Sequence, residues 1–131
     1  MQQTILLRDE TASGKIISEL TISFDKEIIT VQELITARVH AEVDVYNKTM
    51  PEYYRGLVQP TDAEKVLNGF KLRDRRKVDA EKQAYIALGA FQKNGYFILV
   101  NDKQVSDLKE MISLSATTTV SFVKLTPLVG G

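Results

Sequence analysis

Two glycines, Gly130 and Gly131, stand at the end of the sequence, behind Val120-Ser121-Phe122-Val123-Lys124-Leu125-Thr126-Pro127-Leu128-Val129. Glycine has no Cβ, so a Gly-Gly segment passes through a narrow channel and adopts backbone angles closed to other residues. Such a segment can bring a carboxylate against a nucleotide or a thiol. The chemistry this suggests is acyl transfer in which the chain supplies the acyl group and no catalytic side chain. Pro127 lacks a backbone donor and ends strand pairing, so residues 126–131 are expected to leave the sheet as a flexible tail. An ordinary frayed end also carries small residues, so the elements before the tail must decide.

Those elements follow from local patterning. Thr4 to Leu7 and Ile16 to Phe24 alternate around the turn residues Ala12-Ser13-Gly14-Lys15, which predicts a β-hairpin with Leu20, Ile22 and Phe24 on one face. Thr30-Val31-Gln32-Glu33 has capping-box spacing, and Ile29 with Leu34 forms a hydrophobic staple around it. The stripe Val31, Ile35, Val39, Val43 and Tyr46 then predicts an amphipathic helix to about residue 47. In the middle, Thr61-Asp62-Ala63-Glu64 repeats the capping-box spacing and predicts a short helix ended by Gly69. Asp79 predicts a further helix through Ala80, Ala84, Leu88 and Phe91, stopped at Asn94-Gly95. Tyr96 to Val100 reads as a strand turning at Asn101-Asp102. Leu108, Met111, Ile112 and Leu114 suggest a short helical turn, before a last strand from Thr118 to about Leu125. The expectation is one α+β domain over residues 1–131 with a helical insertion over 49–94.

Composition narrows the function. The chain of 131 residues suits one cored domain. Its 17 basic and 17 acidic side chains cancel, leaving no global field to favour nucleic acid or an anionic membrane. No apolar run approaches a membrane span and the start lacks signal-peptide features, so a cytoplasmic protein without a membrane partner is expected. With no cysteine, any thioester must use a partner's sulfur. There is no phosphate loop of Walker type, so any ATP belongs to a partner and no cofactor of its own is expected.

The run Phe97-Ile98-Leu99-Val100-Asn101-Asp102-Lys103-Gln104-Val105, then Asp107-Leu108 and Ile112, then Thr118 to Val123, and finally Gly130-Gly131, resembles the second half of ubiquitin. The hairpin and long helix resemble its first half in the same order. Residues 49 to 94 have no counterpart, and such additions resemble those of bacterial ubiquitin-like modifiers encoded beside their own enzymes. The resemblance implies a β-grasp sheet and a protein that is not an enzyme. It implies that an activating enzyme adenylates the carboxylate of Gly131 with ATP, that a conjugating enzyme carries it as a thioester, and that an amine of a target protein accepts it. It also implies a deconjugating peptidase and, by likeness to bacterial operons, a setting in antiviral defence. The tail is similar, too, to those of sulfur carriers, which accept sulfur as a terminal thiocarboxylate. A noncovalent β-grasp adaptor is the reading in which the tail does no chemistry. Where ubiquitin has basic residues before its glycines, this chain has Leu128 and Val129 in an apolar tail, implying recognition by shape and dedicated enzymes.

Alternation adds a candidate surface. If Ile98, Val100, Val120 and Phe122 face the core, Leu99, Val123 and Leu125 share the other face, either as a partner patch or as a small second core under the helix of residues 79–93. Lys103 matches a ubiquitin lysine used in chain formation; most turn lysines simply solubilise. His40 falls on the long helix without a second ligand, so no metal site is expected. The basic run Lys71, Arg73, Arg75, Arg76 and Lys77 contains Asp74 and reads as a solvated loop. Asp74, Asp79 and Glu81 lack an acid–base spacing, and Tyr53-Tyr54 reads as an anchor for the insertion.

Overall fold

A computed structural model describes residues 2–66, 69–72 and 76–125. The predicted hairpin is present as β1 (Gln3–Thr11) and β2 (Ile16–Phe24), antiparallel with Ile5 opposite Ile22 and Leu7 opposite Leu20. One face of β1 therefore carries Ile5, Leu7 and Asp9, all buried. A short strand, β3 (Ile28–Thr30), leads straight into α1 (Val31–Thr49).

The start of α1 is fixed as its sequence suggests. The Thr30 hydroxyl accepts from the Glu33 amide at 3.1 Å, and the Glu33 carboxylate accepts from the Thr30 amide at 3.0 Å. Ile29 and Leu34 are both buried around this cap. The helix buries the stripe Val31, Ile35, Val39, Val43 and Tyr46, and with it Leu34 and Arg38. Each fully buried aliphatic side chain contributes about 1.5–3 kcal/mol, so this stripe is what holds α1 on the sheet.

The middle departs from expectation. Thr61 caps no helix; Ala63–Val66 and Gly69–Leu72 form a two-stranded ribbon, β4 and β5, with Glu64 opposite Lys71 and Lys65 opposite Phe70. Asp62 lies in the left-handed region at φ 61°, which interrupts the right-handed turn a cap at Thr61 would need. Phe70 exchanges two backbone hydrogen bonds with Tyr54, at 2.7 and 2.8 Å, so the ribbon is tied to the preceding segment. Gly69 has φ 131°, and a Cβ there would lie 2.8 Å from the Tyr54 carbonyl oxygen, so glycine is required. Among its described residues the region 49–94 is thus a ribbon followed by one helix.

That helix is α2 (Ala80–Gln92), capped by Asp79, whose carboxylate accepts from the Lys82 amide at 3.1 Å. It lies against α1, with the small residues Ala84 and Ala87 buried along it and Phe91 buried at its end. Asn47 of α1 pins its approach, donating to the Val78 carbonyl at 2.9 Å and accepting from the Val78 amide at 2.8 Å. Asn94, at φ 61°, and Gly95, whose amide donates to the Ala90 carbonyl at 2.8 Å, end it where expected.

The remaining strands are β6 (Tyr96–Val100), β7 (Lys103–Val105), β8 (Met111–Ser113) and β9 (Thr119–Lys124). Asn101 and Asp102 both have positive φ, the geometry of a two-residue hairpin turn between β6 and β7. The helical turn expected near Leu108–Leu114 is instead β8, paired with β3 so that Ile112 meets Ile29. The carbonyls of Leu108 and Glu110 accept from the first amides of α1, Gln32 and Val31, both at 3.0 Å, and so serve that helix rather than one of their own.

Five strands form one mixed sheet in the order β2-β1-β9-β6-β7, with β1 and β9 parallel and the other neighbours antiparallel. Both helices lie on one face: α1 covers Ile5, Leu7, Ile98, Val120 and Phe122, and α2 reaches Tyr96, whose hydroxyl donates to the Ala87 carbonyl at 2.7 Å. Among the described residues no helix is long and apolar enough to cross a membrane.

Candidate functional site

β9 brings the chain through the middle of the sheet to its C-terminal segment. Val120 and Phe122 are fully buried on the helix face, as alternation required. Lys124 follows on the same face, and its ammonium lies 3.5 Å from Asp9 and 3.4 Å from the Gly56 carbonyl oxygen. The last residue of β9 is therefore moored on two sides. Leu128, Val129, Gly130 and Gly131 lie outside the described residues.

The mooring belongs to a buried charge cluster. Arg38, 1% exposed, directs two guanidinium nitrogens at the carboxylate of Asp9, one at 2.7 Å, and its Nε at Glu42. Its guanidinium carbon also lies 4.4 Å from the centre of the Phe122 ring, a cation–π contact from α1 to β9. Ser18 donates to Asp9 at 3.1 Å. The second Glu42 oxygen accepts from the Leu57 amide at 2.9 Å and the Tyr54 hydroxyl at 3.4 Å. One arginine thus joins β1, α1 and the 54–57 segment.

Burial pushes the Asp9 carboxyl upward, yet the hydrogen bonds and charge of Arg38, aided by Lys124 and Ser18, hold it below the usual carboxylate range. For Arg38 burial works against the charge, and Glu42 and Asp9 overcome it, leaving the guanidinium more firmly protonated than usual. Burial first, and Glu42 second, keep the Tyr54 hydroxyl protonated well above its ordinary value. Among the described residues no buried side-chain nitrogen or oxygen lacks a partner. Groups held in one charge state with their hydrogen bonds filled fit a fastening better than a proton-transfer site.

Comparison of the chain with known protein families, with curated proteins and with solved structures finds no match.

On the opposite face of the sheet, Leu99 and Val123 are brought together: Leu99 faces Ser121 across the β6–β9 pair, with Val123 two residues further along β9. Both are half-buried, and Leu125, beyond the strand, is 40% exposed. α2 packs on the other side of the sheet, so the inserted helix does not cover these residues. Phe97, opposite Val123 and half-buried, shares their face. It belongs to the same patch, and its alternation with Leu99 was the signal that could have added it. Lys103 is exposed at the start of β7.

His40 is exposed on α1. Arg76 is engaged locally, donating to the Thr61 carbonyl at 2.8 Å, with Asp62 at 3.6 Å; Arg73, Asp74 and Arg75 lie outside the described residues. Tyr54 does anchor its segment, 1% exposed and edge-on to Tyr46 with ring centres 5.2 Å apart. Asp9 and Arg38 carry the principal interactions that sequence reading missed. Both sit on apolar faces, Asp9 two residues after Leu7 and Arg38 four after Leu34, and a charge at a core position is the signal that could have found them.

Proposed function

We propose that the chain is a β-grasp, ubiquitin-like modifier whose Gly131 carboxylate is joined to target amines. The observation that carries the reading is the strand order β2-β1-β9-β6-β7 with a parallel β1–β9 pair at its centre and α1 across one face, in which the central strand is the last element described before the segment that holds the two glycines. A carboxylate at neutral pH is an anion that amines do not attack. A partner enzyme therefore activates it: a Gly131 oxygen attacks the α-phosphorus of ATP, pyrophosphate leaves, and a partner cysteine displaces AMP to form a thioester. Exchange onto a conjugating enzyme's cysteine follows, and a target lysine displaces that thiolate, giving an isopeptide bond. Gly130 permits the close approach, and Leu128 and Val129 supply apolar contacts in the activating enzyme's channel. Leu99, Val123 and Leu125 offer the partner enzymes a surface on the side of the sheet opposite α1 and α2. Lys103, exposed, is a candidate acceptor for a second copy. A peptidase reverses the bond, or uncovers Gly131 where a precursor extends beyond it. Cytoplasmic action in a bacterial antiviral system is the setting this reading favours.

The test is expression of the chain with the enzymes encoded beside it, next to a version lacking Gly130 and Gly131. The expected result is covalent adducts on a denaturing gel that disappear with the glycines, and peptides in which Gly131 is linked to lysine. A terminal exchange of oxygen for sulfur without adducts would make the protein a sulfur carrier. Partner binding that survives loss of the glycines, with neither product, would make it an adaptor.

A further inference from the structure

β2 ends the five-stranded sheet, and among the described residues nothing pairs with its outer edge. Long edge strands are usually blunted by lysine, proline, a bulge or brevity. Ile16–Phe24 holds neither lysine nor proline, and its one charge, Glu19, is met within the same hairpin by Arg8 at 2.9 Å. The register of β2 against β1 shifts beyond the Asp9–Ser18 pair, so the irregularity falls on Ile16 and Ile17 and leaves Ser18–Phe24 as one regular stretch. Along that stretch Leu20 and Ile22, opposite the buried Leu7 and Ile5, stand on the helix side with Phe24. All three pack against the core yet stay half-buried, since β1 flanks them on one side only.

The order of residue types in Ser18–Phe24 reads alike in both directions. Turned antiparallel on itself about Thr21, the stretch sets Leu20 opposite Ile22 and Ser18 opposite Phe24 on the helix side, each twice. On the other side Thr21 meets Thr21 and Glu19 meets Ser23, so no like charges face each other and no apolar residue faces a charge. A second copy of the chain supplies this match by symmetry.

We infer that β2 is a self-association edge, at which two copies of the chain pair antiparallel through Ser18–Phe24 about a twofold axis at Thr21. The pairing fills the outward backbone donors and acceptors of both strands and joins the two sheets into one. The clefts between β2 and α1, each about 540 Å³ and walled by Leu20, Val45 and Tyr46, come to lie side by side across the axis. Leu99 and Val123 stay uncovered, because β6 and β9 are separated from the joint by β1. Nothing in this requires activation of the terminus, so its outcome is independent of the conjugation reading.

The full-length chain is followed by analytical ultracentrifugation from about 1 μM to about 1 mM, since one strand per copy is a small interface. A monomer–dimer equilibrium within that range is expected, with amide shifts at the higher concentrations centred on residues 18–24. Thr21→Lys sets two ammonium groups face to face at the axis and should weaken dimerisation about tenfold or more, while an unchanged melting temperature in dilute solution shows the monomer intact. The chain has no cysteine, so single cysteines report the register. Thr21→Cys should cross-link two copies on mild oxidation, because facing Cα atoms stand about 4.5–5.5 Å apart, within disulfide reach. Ser23→Cys should not, its two copies lying about 13 Å apart along the strands. A chain that stays monomeric at about 1 mM, a dimer that Thr21→Lys leaves intact, or cross-linking of the Ser23→Cys variant in preference to Thr21→Cys would each overturn the inference.

Discussion

A guanidinium offers five N–H donors in a plane and stays charged when buried, which is why Arg38 can stand where the α1 stripe otherwise requires an aliphatic side chain. Removing it strands two carboxylates. Arg38→Met is therefore expected to cost about 3–5 kcal/mol, seen as a lowered urea midpoint, and adding Asp9→Leu should recover part of that loss because one uncompensated charge goes with it. The same cluster sets a pH response at each end. Because the folded Asp9 pKa is depressed below the ordinary 3.8, its stabilisation is present above that value and is lost as pH falls through the folded pKa. Tyr54 and Tyr96 have the opposite sign: both are raised by burial, so the unfolded chain releases their protons first and stability falls once pH passes about 10. Melting temperatures across the acid and alkaline ranges should show both declines, and Tyr54→Phe should flatten the alkaline one.

Elements whose signals are local were legible and those whose partners are distant were not. The cap of α1, its stripe and the Asp79 cap are written within a few residues, and Thr30→Ala should cost about 0.5–2 kcal/mol by thermal or urea unfolding. The spacing at Thr61 looks identical on paper, but Asp62 takes the left-handed region and Tyr54 pairs with Phe70, neither of which the spacing reveals. β8 depends on β3 far upstream, so its apolar residues read as a helical turn until Ile29 supplies the pairing. The cluster hid for the same reason, since Asp9 and Arg38 are 29 positions apart. The direction of Leu99 and Val123 was legible because a strand's alternation is local; which side of the sheet α2 occupies was not. Gly56 shows how closely the 54–57 segment packs on α1: a Cβ there would overlap the Tyr54 ring and the Glu42 carboxylate. Gly56→Ala should lower the melting temperature by several degrees, in line with the about 1–3 kcal/mol typical of overpacking.

At the scale of the molecule, the sheet puts the end of β9 at its centre and leaves β2 and β7 as edges. The core ends at Phe122 and the last described fastening is Lys124. Removing Gly130 and Gly131 should abolish the proposed conjugation. Lys124→Met should lower stability by loosening both Asp9 and the 54–57 segment, a difference that separates the anchor from the tail.

The parallel pairing of β1 with β9 also has a mechanical meaning. A pull that separates residue 2 from residue 125 runs along both strands in opposite senses and loads the hydrogen bonds between Leu6–Thr11 and Thr119–Lys124 together, in shear, instead of opening them one after another. A chain tethered through one end and dragged by the other should consequently yield abruptly at high force, with β9 further braced by β6 on its other side.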